Sequence, residues 1–177
     1  MQRLTKGYIQ IYTGNGKGKT TAALGQALRA AGRRLRTLIV MLMKDFAYGE
    51  LKSLNQWNQL IRMEQYGNDR FVFRKQPPSG EDIQAASLAI MRAREAMLSG
   101  RYDLVILDEV CVAVHFGLLE TKEVLSLLKE KPLTVELILT GRYCPDELIA
   151  RADLVTEMRE IKHYYQNGVT ARKGIES

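Results

Sequence analysis

The sequence predicts an α/β protein with a mainly parallel central sheet flanked by helices. Three observations carry this. Strand-like and helical segments alternate along the chain, the order that βαβ units require. Two of the strand-like runs, "RTLIVMLMK" (Arg36 to Lys44) and "YDLVILDE" (Tyr102 to Glu109), are almost continuously apolar, as in strands covered on both faces. A glycine-rich loop, "TGNGKGKT", stands between the first strand-like run and the first helical one.

Taken in order, "GYIQIYT" (Gly7 to Thr13) alternates and is β-branched or aromatic, which marks a strand. "TTAALGQALRAAG" (Thr20 to Gly32) is rich in Ala and Leu, and a glycine closes it at the expected C′ position. "LIRMEQYG" and "RFVFRK" read as further short strands. "SGEDIQAASLAIMRAREAMLSG" (Ser79 to Gly100) is a long amphipathic helix whose start carries Ser79, Glu81 and Asp82, suited to the positive helix end. "ETKEVLSLLKEK" is a helix stopped by Pro132, and "TVELILTG" a strand. "CPDELIARA" opens a short helix, "DLVTEMREI" is a last strand, and the polar tail holds an Asn167-Gly168 turn. No repeat or linker interrupts residues 1–177, which read as a single domain.

Composition narrows the class. The chain has 177 residues, 46% hydrophobic and 26% charged, ordinary for a soluble globular protein. No apolar run approaches the roughly 18 residues of a membrane span. The N-terminus has no secretory pattern, so a cytoplasmic location is expected. Cys111 and Cys144 stand alone, forming neither a Cys-x-x-Cys pair nor a zinc pattern. The net charge of +6 favours polyanions. The basic residues are dispersed apart from "RAAGRRLR" (Arg29 to Arg36), which fits a solvated basic surface plus a phosphate site better than a nucleic-acid interface.

The chemistry concentrates at two places. The phosphate-loop template is G-x-x-x-x-G-K-[ST]. Gly18, Lys19 and Thr20 fit its end, but the template's first glycine falls on Thr13, and Gly14 leaves three residues between rather than four. The mechanism survives. Gly14, Gly16 and Gly18, with Asn15 and Lys17 between them, allow backbone amides to cradle an anion. The helix that follows, with Thr21 in its first turn, adds its positive end. Lys19 can bridge terminal phosphates and the Thr20 hydroxyl can hold Mg²⁺. The second place is "LVILDE", a buried strand delivering Asp108 and Glu109 to the same sheet edge. Hard cations such as Mg²⁺ take carboxylate, hydroxyl and phosphate oxygens. We expect Glu109 near the metal with Thr20, and Asp108 in direct or water-mediated support. Arg142, following the strand "LILTG", is expected to contact phosphate or ribose.

"TGNGKGKTTAALGQALRA", "LVILDE", "LILTGR" and "ADLVTEMREIKHYYQNGVTARKGIE" together resemble the ATP:corrinoid adenosyltransferases of the phosphate-loop type. "KDFAYGELKSL" and "DEVCVAVHFGLL" are similar to the same family, so the resemblance runs along nearly the whole chain. It implies a recombinase-like P-loop fold with the shortened loop, and ATP lying in reversed polarity. Co(I) of a reduced corrinoid would attack the 5′ carbon of ATP, and the triphosphate would leave as one unit, in cobalamin biosynthesis or salvage. Mg²⁺ or Mn²⁺, a flavoprotein electron donor and a homodimer are also implied. Lys19, Asp108 and Glu109 would then carry the chemistry.

Lys162 and His163 match a family motif, with no role assigned by sequence. His115 is expected to pack beneath the sheet edge. Some relatives place two aromatics at the corrinoid site shortly before the long helix, where this chain reads "RKQPPSGED"; Phe71 and Phe73 lie slightly earlier, Phe46, Tyr48 and Trp57 occupy another loop region, and each is expected in the core more readily than against the corrinoid. Relatives with a longer N-terminal segment use it as a lid, so a lid here would have to come from elsewhere. The competing reading is a phosphate-loop ATPase or kinase acting on another acceptor, nucleic acid included; a nucleotide-binding regulatory module without catalysis is the third.

Overall fold

The computed structural model describes residues 4–45, 49–74 and 76–175, and for 73–74 the backbone only. Six strands form one parallel sheet: β1 (Ile9–Thr13), β2 (Thr37–Leu42), β3 (Ile61–Tyr66), β4 (Leu104–Asp108), β5 (Glu136–Thr140) and β6 (Leu154–Glu157). Their order across the sheet is β3-β2-β4-β5-β1-β6, and each recorded pairing is parallel. The α/β class with a parallel sheet is therefore as the sequence indicates, and compatible with a phosphate-loop-type fold.

The apolar runs became the central strands for the reason that marked them. Every residue of β2 and of β4 is buried, because helices cover both faces. Side chains alternate between those faces. Leu38, Val40 and Leu42 join Val105, Leu107, Leu137 and Leu139 on one side. Ile39 and Met41 join Ile106 and Ile138 on the other. The second face is covered by α1 (Lys19–Ala31), whose Ala23, Ala27, Ala30 and Ala31 are buried. Small side chains let this helix approach the sheet closely and bring its first turn to the end of β1.

The remaining helices are α2 (Gly49–Leu54), α3 (Arg70–Arg74), α4 (Gly80–Leu98), α5 (Val110–His115), α6 (Thr121–Glu130) and α7 (Asp146–Ile149). The Ser79 signal is a full capping box: the Ser79 side chain accepts from the Asp82 amide, and the Asp82 carboxylate accepts from the Ser79 amide. Strand β6 is exposed throughout, an edge strand tied to β1 by parallel pairing.

Three local expectations differ from the structure. "RFVFRK" is helical as α3, not a strand. The Asn68 side chain accepts from the Arg70 amide at 3.0 Å, starting a turn, and Phe71 packs edge-on against Phe116 at 5.8 Å. A short apolar run has no period long enough to separate the two states. Gly32 ends α1 but stays right-handed at φ −58°. The reversal falls at Arg34, φ 60°, where the Leu35 amide reaches back to Ala30 O at 3.1 Å and the Arg34 amide to Ala31 O at 2.8 Å. His115 is exposed and stacks on Tyr143 with centroids 4.1 Å apart, rather than packing beneath the sheet. It is the last residue of a two-turn helix, where the chain already turns outward.

Candidate nucleotide site

The loop between β1 and α1 curls at the edge where the parallel strands end, the place where open α/β sheets bind ligands. Gly14 (φ 92°) and Gly18 (φ 117°) take conformations closed to most side chains. Gly18 is the N-cap of α1, and no side chain caps the helix there. Its first amides are thus available to an anion, and the helix dipole favours one. Lys19 is folded into the loop, 7% exposed, its Nζ donating to Gly14 O at 2.7 Å and Gly16 O at 2.8 Å. Burial lowers its pKa, Arg142 lowers it further, and Glu109 and Asp108 oppose the shift.

Behind the loop, Asp108 closes β4 with 1% exposure. Its Oδ1 accepts from the Thr20 hydroxyl at 2.9 Å and the Thr140 hydroxyl at 2.6 Å, and its Oδ2 pairs with Lys44 Nζ at 2.5 Å. Glu109 follows in a left-handed conformation, φ 63°, as N-cap of α5. That kink aims its side chain at the cavity, and the Thr140 oxygen accepts its amide at 2.9 Å. Burial raises the Glu109 pKa, and the neighbouring Asp108 carboxylate adds to the rise.

These elements enclose a cavity of about 650 Å³, within the usual range for small-molecule sites. Asn15, Gly16, Lys17 and Gly18 of the loop line it, with Lys19, Thr20 and Thr21 of α1. Glu109 and Arg142 face it from the ends of β4 and β5. Of the predicted residues, Gly14 and Asp108 stand behind the wall, acting through Lys19 and Thr20. The amide of Gly16 itself is committed to Met158 O at 2.6 Å, so it is not among the donors left for a ligand.

Among the described residues, no group of three or more His, Cys, Asp or Glu side chains is placed to hold a metal ion by itself. The oxygen donors facing the cavity are the Thr20 hydroxyl and the Glu109 carboxylate, with Asp108 behind them accepting from Thr20. That set fits a magnesium-type ion, which keeps water and phosphate oxygens for its other positions.

Sequence reasoning missed several contributors. Thr140 and Lys44 are the polar residues at the ends of apolar strands, a signal that was present but unread. Leu24, Glu50 and Ser53 also line the cavity, the last two on α2. His163, which the sequence tied to a family motif without a role, lines the cavity together with Gly174 and Ile175 from the segment after β6. Lys162 is exposed and outside the lining. Of the aromatics considered for a corrinoid, Phe71 is buried, Trp57 is 45% exposed, and Phe46, Tyr48 and the Phe73 side chain lie outside the described residues. Among the described residues, no helix is long and apolar enough to cross a membrane.

The sequence matches the family model for the ATP:corrinoid adenosyltransferases BtuR/CobO/CobP over residues 5–177. A corrinoid adenosyltransferase from Salmonella typhimurium is 35% identical over 173 residues, covering 97% of this chain and 86% of that protein. One from Sinorhizobium is 34% identical over 174 residues, 97% of this chain and 80% of that protein. One from Escherichia coli is 34% identical over 172 residues, with 97% and 86% covered.

Proposed function

The chain belongs to the ATP:corrinoid adenosyltransferase family, and from that premise we propose that its cavity binds ATP by the triphosphate and presents C5′ to the cobalt of a reduced corrinoid. The enzyme is a transferase: it moves the 5′-deoxyadenosyl group of ATP to the corrinoid and releases triphosphate. The family relationship favours this over an ATPase or kinase. The observation that carries the site assignment is the convergence of Lys19, Arg142 and the uncapped start of α1 on one cavity of about 650 Å³.

In this reading the Co(I) electron pair forms the bond to C5′. The C5′–O bond breaks, and its electron pair leaves with the triphosphate. Negative charge grows on the departing oxygen, so stabilisation belongs on the phosphate side. Loop amides, Lys19 and Arg142 supply it, and one preorganised donor of this kind is worth about 3 kcal/mol. Lys19 now holds the carbonyls of Gly14 and Gly16; on binding, it exchanges one of these for a phosphate oxygen. Co(I) carries no proton, so no residue need act as base. The protein orients C5′ and excludes water.

Mg²⁺ or Mn²⁺ would be held by Thr20 and Glu109, with Asp108 supporting through Thr20, and would supply further neutralisation of the phosphates. The proposal takes 1–177 as one nucleotide-binding domain in the cytoplasm, in keeping with all six strands sharing a sheet. It includes a flavoprotein reductant and a homodimer, for which exposed Leu154 and Val155 on β6 and Ile161 beyond it offer apolar surface.

The test is to incubate the protein with ATP and chemically generated Co(I) cobalamin. Adenosylcobalamin and intact tripolyphosphate are expected, and Lys19→Ala should abolish both. Release of orthophosphate or pyrophosphate alone would overturn the reading.

A further inference from the structure

The segment after β6 does not leave the sheet edge. It crosses the phosphate loop and returns to it. The Met158 amide donates to Thr13 O at 2.8 Å, and the Gly16 amide donates to Met158 O at 2.6 Å, which fixes the crossing point. Lys17 Nζ donates to Ile175 O at 2.8 Å, which fixes the return. Between these anchors a 3-10 turn, Tyr164–Asn167, is closed by Gly168 at φ 81°. Arg172 lies 4.9 Å from the Tyr164 ring centre, holding the two limbs of the excursion together. The result is a wall of the cavity built by His163, Gly174 and Ile175.

His163 is the polar side chain on that wall. Its Nδ1 accepts the Tyr165 amide at 3.1 Å. An accepting Nδ1 sets the tautomer: in the neutral ring the proton sits on Nε2. The nitrogen left for a ligand is therefore a donor. It joins a cavity whose other polar groups include Lys17, Lys19 and Arg142, a setting for an anion.

We propose that His163 is a further triphosphate-binding residue, carried to the cavity by the returning segment and donating from Nε2 to a phosphate oxygen. The inference rests on the reading that the cradle holds the triphosphate of ATP. Its bland rival is that His163 serves only to cap the 3-10 turn through Nδ1.

Two substitutions separate the roles. In His163→Asn the side-chain oxygen stands where Nδ1 was, so the cap survives and the distal donor is lost. In His163→Gln the amide nitrogen reaches the Nε2 position, so the donor survives and the cap is lost. Binding of inorganic tripolyphosphate, and separately of adenosine, is measured by calorimetry on the full chain. The Asn variant should bind tripolyphosphate about tenfold or more weakly, the effect of losing one hydrogen bond to a charged group. Its adenosine affinity should be unchanged, and the Gln variant should stay within about threefold of the parent. Normal tripolyphosphate binding by the Asn variant, or weak binding by the Gln variant alone, overturns the proposal in favour of the cap. If the parent chain binds no tripolyphosphate, the cradle reading falls and this one with it. If tripolyphosphate binding depends on His163 but no adenosyl transfer occurs, only the activity assignment fails.

Discussion

Lys44 Nζ stands 2.5 Å from Asp108 Oδ2, with the carboxylate side chain 1% exposed and the lysine 13%. The pair joins the end of β2 to the end of β4, beneath the phosphate loop. Asp108 also receives the hydroxyls of Thr20 and Thr140, so its charge is met on both oxygens. Removing the lysine leaves a carboxylate in a place water does not reach. Lys44→Met is expected to destabilise the protein by roughly 3–5 kcal/mol. Adding Asp108→Asn should recover part of that loss, since the stranded charge disappears. Urea unfolding of the two single variants and the double variant measures the coupling. A cost under about 1 kcal/mol for Lys44→Met would show that the pair does not hold the site's floor.

Thr140 links both acids of the site. Its hydroxyl donates to Asp108 and its oxygen accepts the Glu109 amide, in a position with no exposure. That amide belongs to a residue held at φ 63°, a conformation that persists only when its surroundings impose it. Thr140→Val keeps the shape and strands the amide, at about 1–3 kcal/mol. The turnover number should fall more than the KM for ATP rises, because Glu109 loses its orientation while the loop stays intact. Steady-state kinetics decide: an unaltered turnover number would free Thr140 of any part in placing Glu109.

These two residues mark the boundary of what the sequence disclosed. The phosphate loop was legible because its chemistry is local, with three glycines, a lysine and a threonine fixed within seven positions. Strands β2 and β4 were legible because a strand buried on both faces must be apolar throughout. Helix α5 was not, since "VCVAVH" is rich in β-branched residues, and only the turn at Glu109 makes it helical. Thr140 and Lys44 matter through partners 32 and 64 positions away, a relationship no local pattern carries. The return of Ile175 to Lys17 spans 158 positions and is invisible for the same reason. Polar residues that close an otherwise apolar run, as Thr140 and Lys44 do, are the local trace such partners leave in the sequence.

Glu64 and Arg92 give the fold a pH-dependent tie. Arg92 on α4 donates from Nε to Glu64 Oε2 at 2.8 Å, at the edge strand β3, with both side chains largely covered. Burial raises the Glu64 pKa, but hydrogen bonds from Arg92, Tyr66 and Arg62 outweigh it and the net shift is downward. A depressed carboxylate stabilises the fold above its ordinary value of 4.5, and that contribution disappears as pH falls through the folded value. Glu64→Gln should therefore cost about 2 kcal/mol at pH 7. The gap from the parent should persist down to about pH 4.5 and close below it. Unfolding curves at several pH values report this; a gap of constant size down to pH 3 would assign the loss to shape rather than charge.

Two glycines nine residues apart should respond oppositely to the same methyl group. A Cβ on Gly25, inside α1, meets nothing within 4 Å. Gly25→Ala should stabilise the protein by roughly 0.5–1 kcal/mol, since the unfolded chain loses freedom the helix never used. A Cβ on Gly16 would stand 2.8 Å from Met158 O and from the Arg159 carbonyl carbon. These are backbone atoms, so relief requires moving the strap that crosses the loop. Gly16→Ala should cost about 1–3 kcal/mol. It should also raise the KM for ATP, because Met158 begins the segment that brings His163 and Ile175 to the cavity. Limited proteolysis after β6 gives an independent readout: cleavage should accelerate in Gly16→Ala and not in Gly25→Ala. Equal cleavage in both would mean that the strap is held by contacts other than its crossing of the loop.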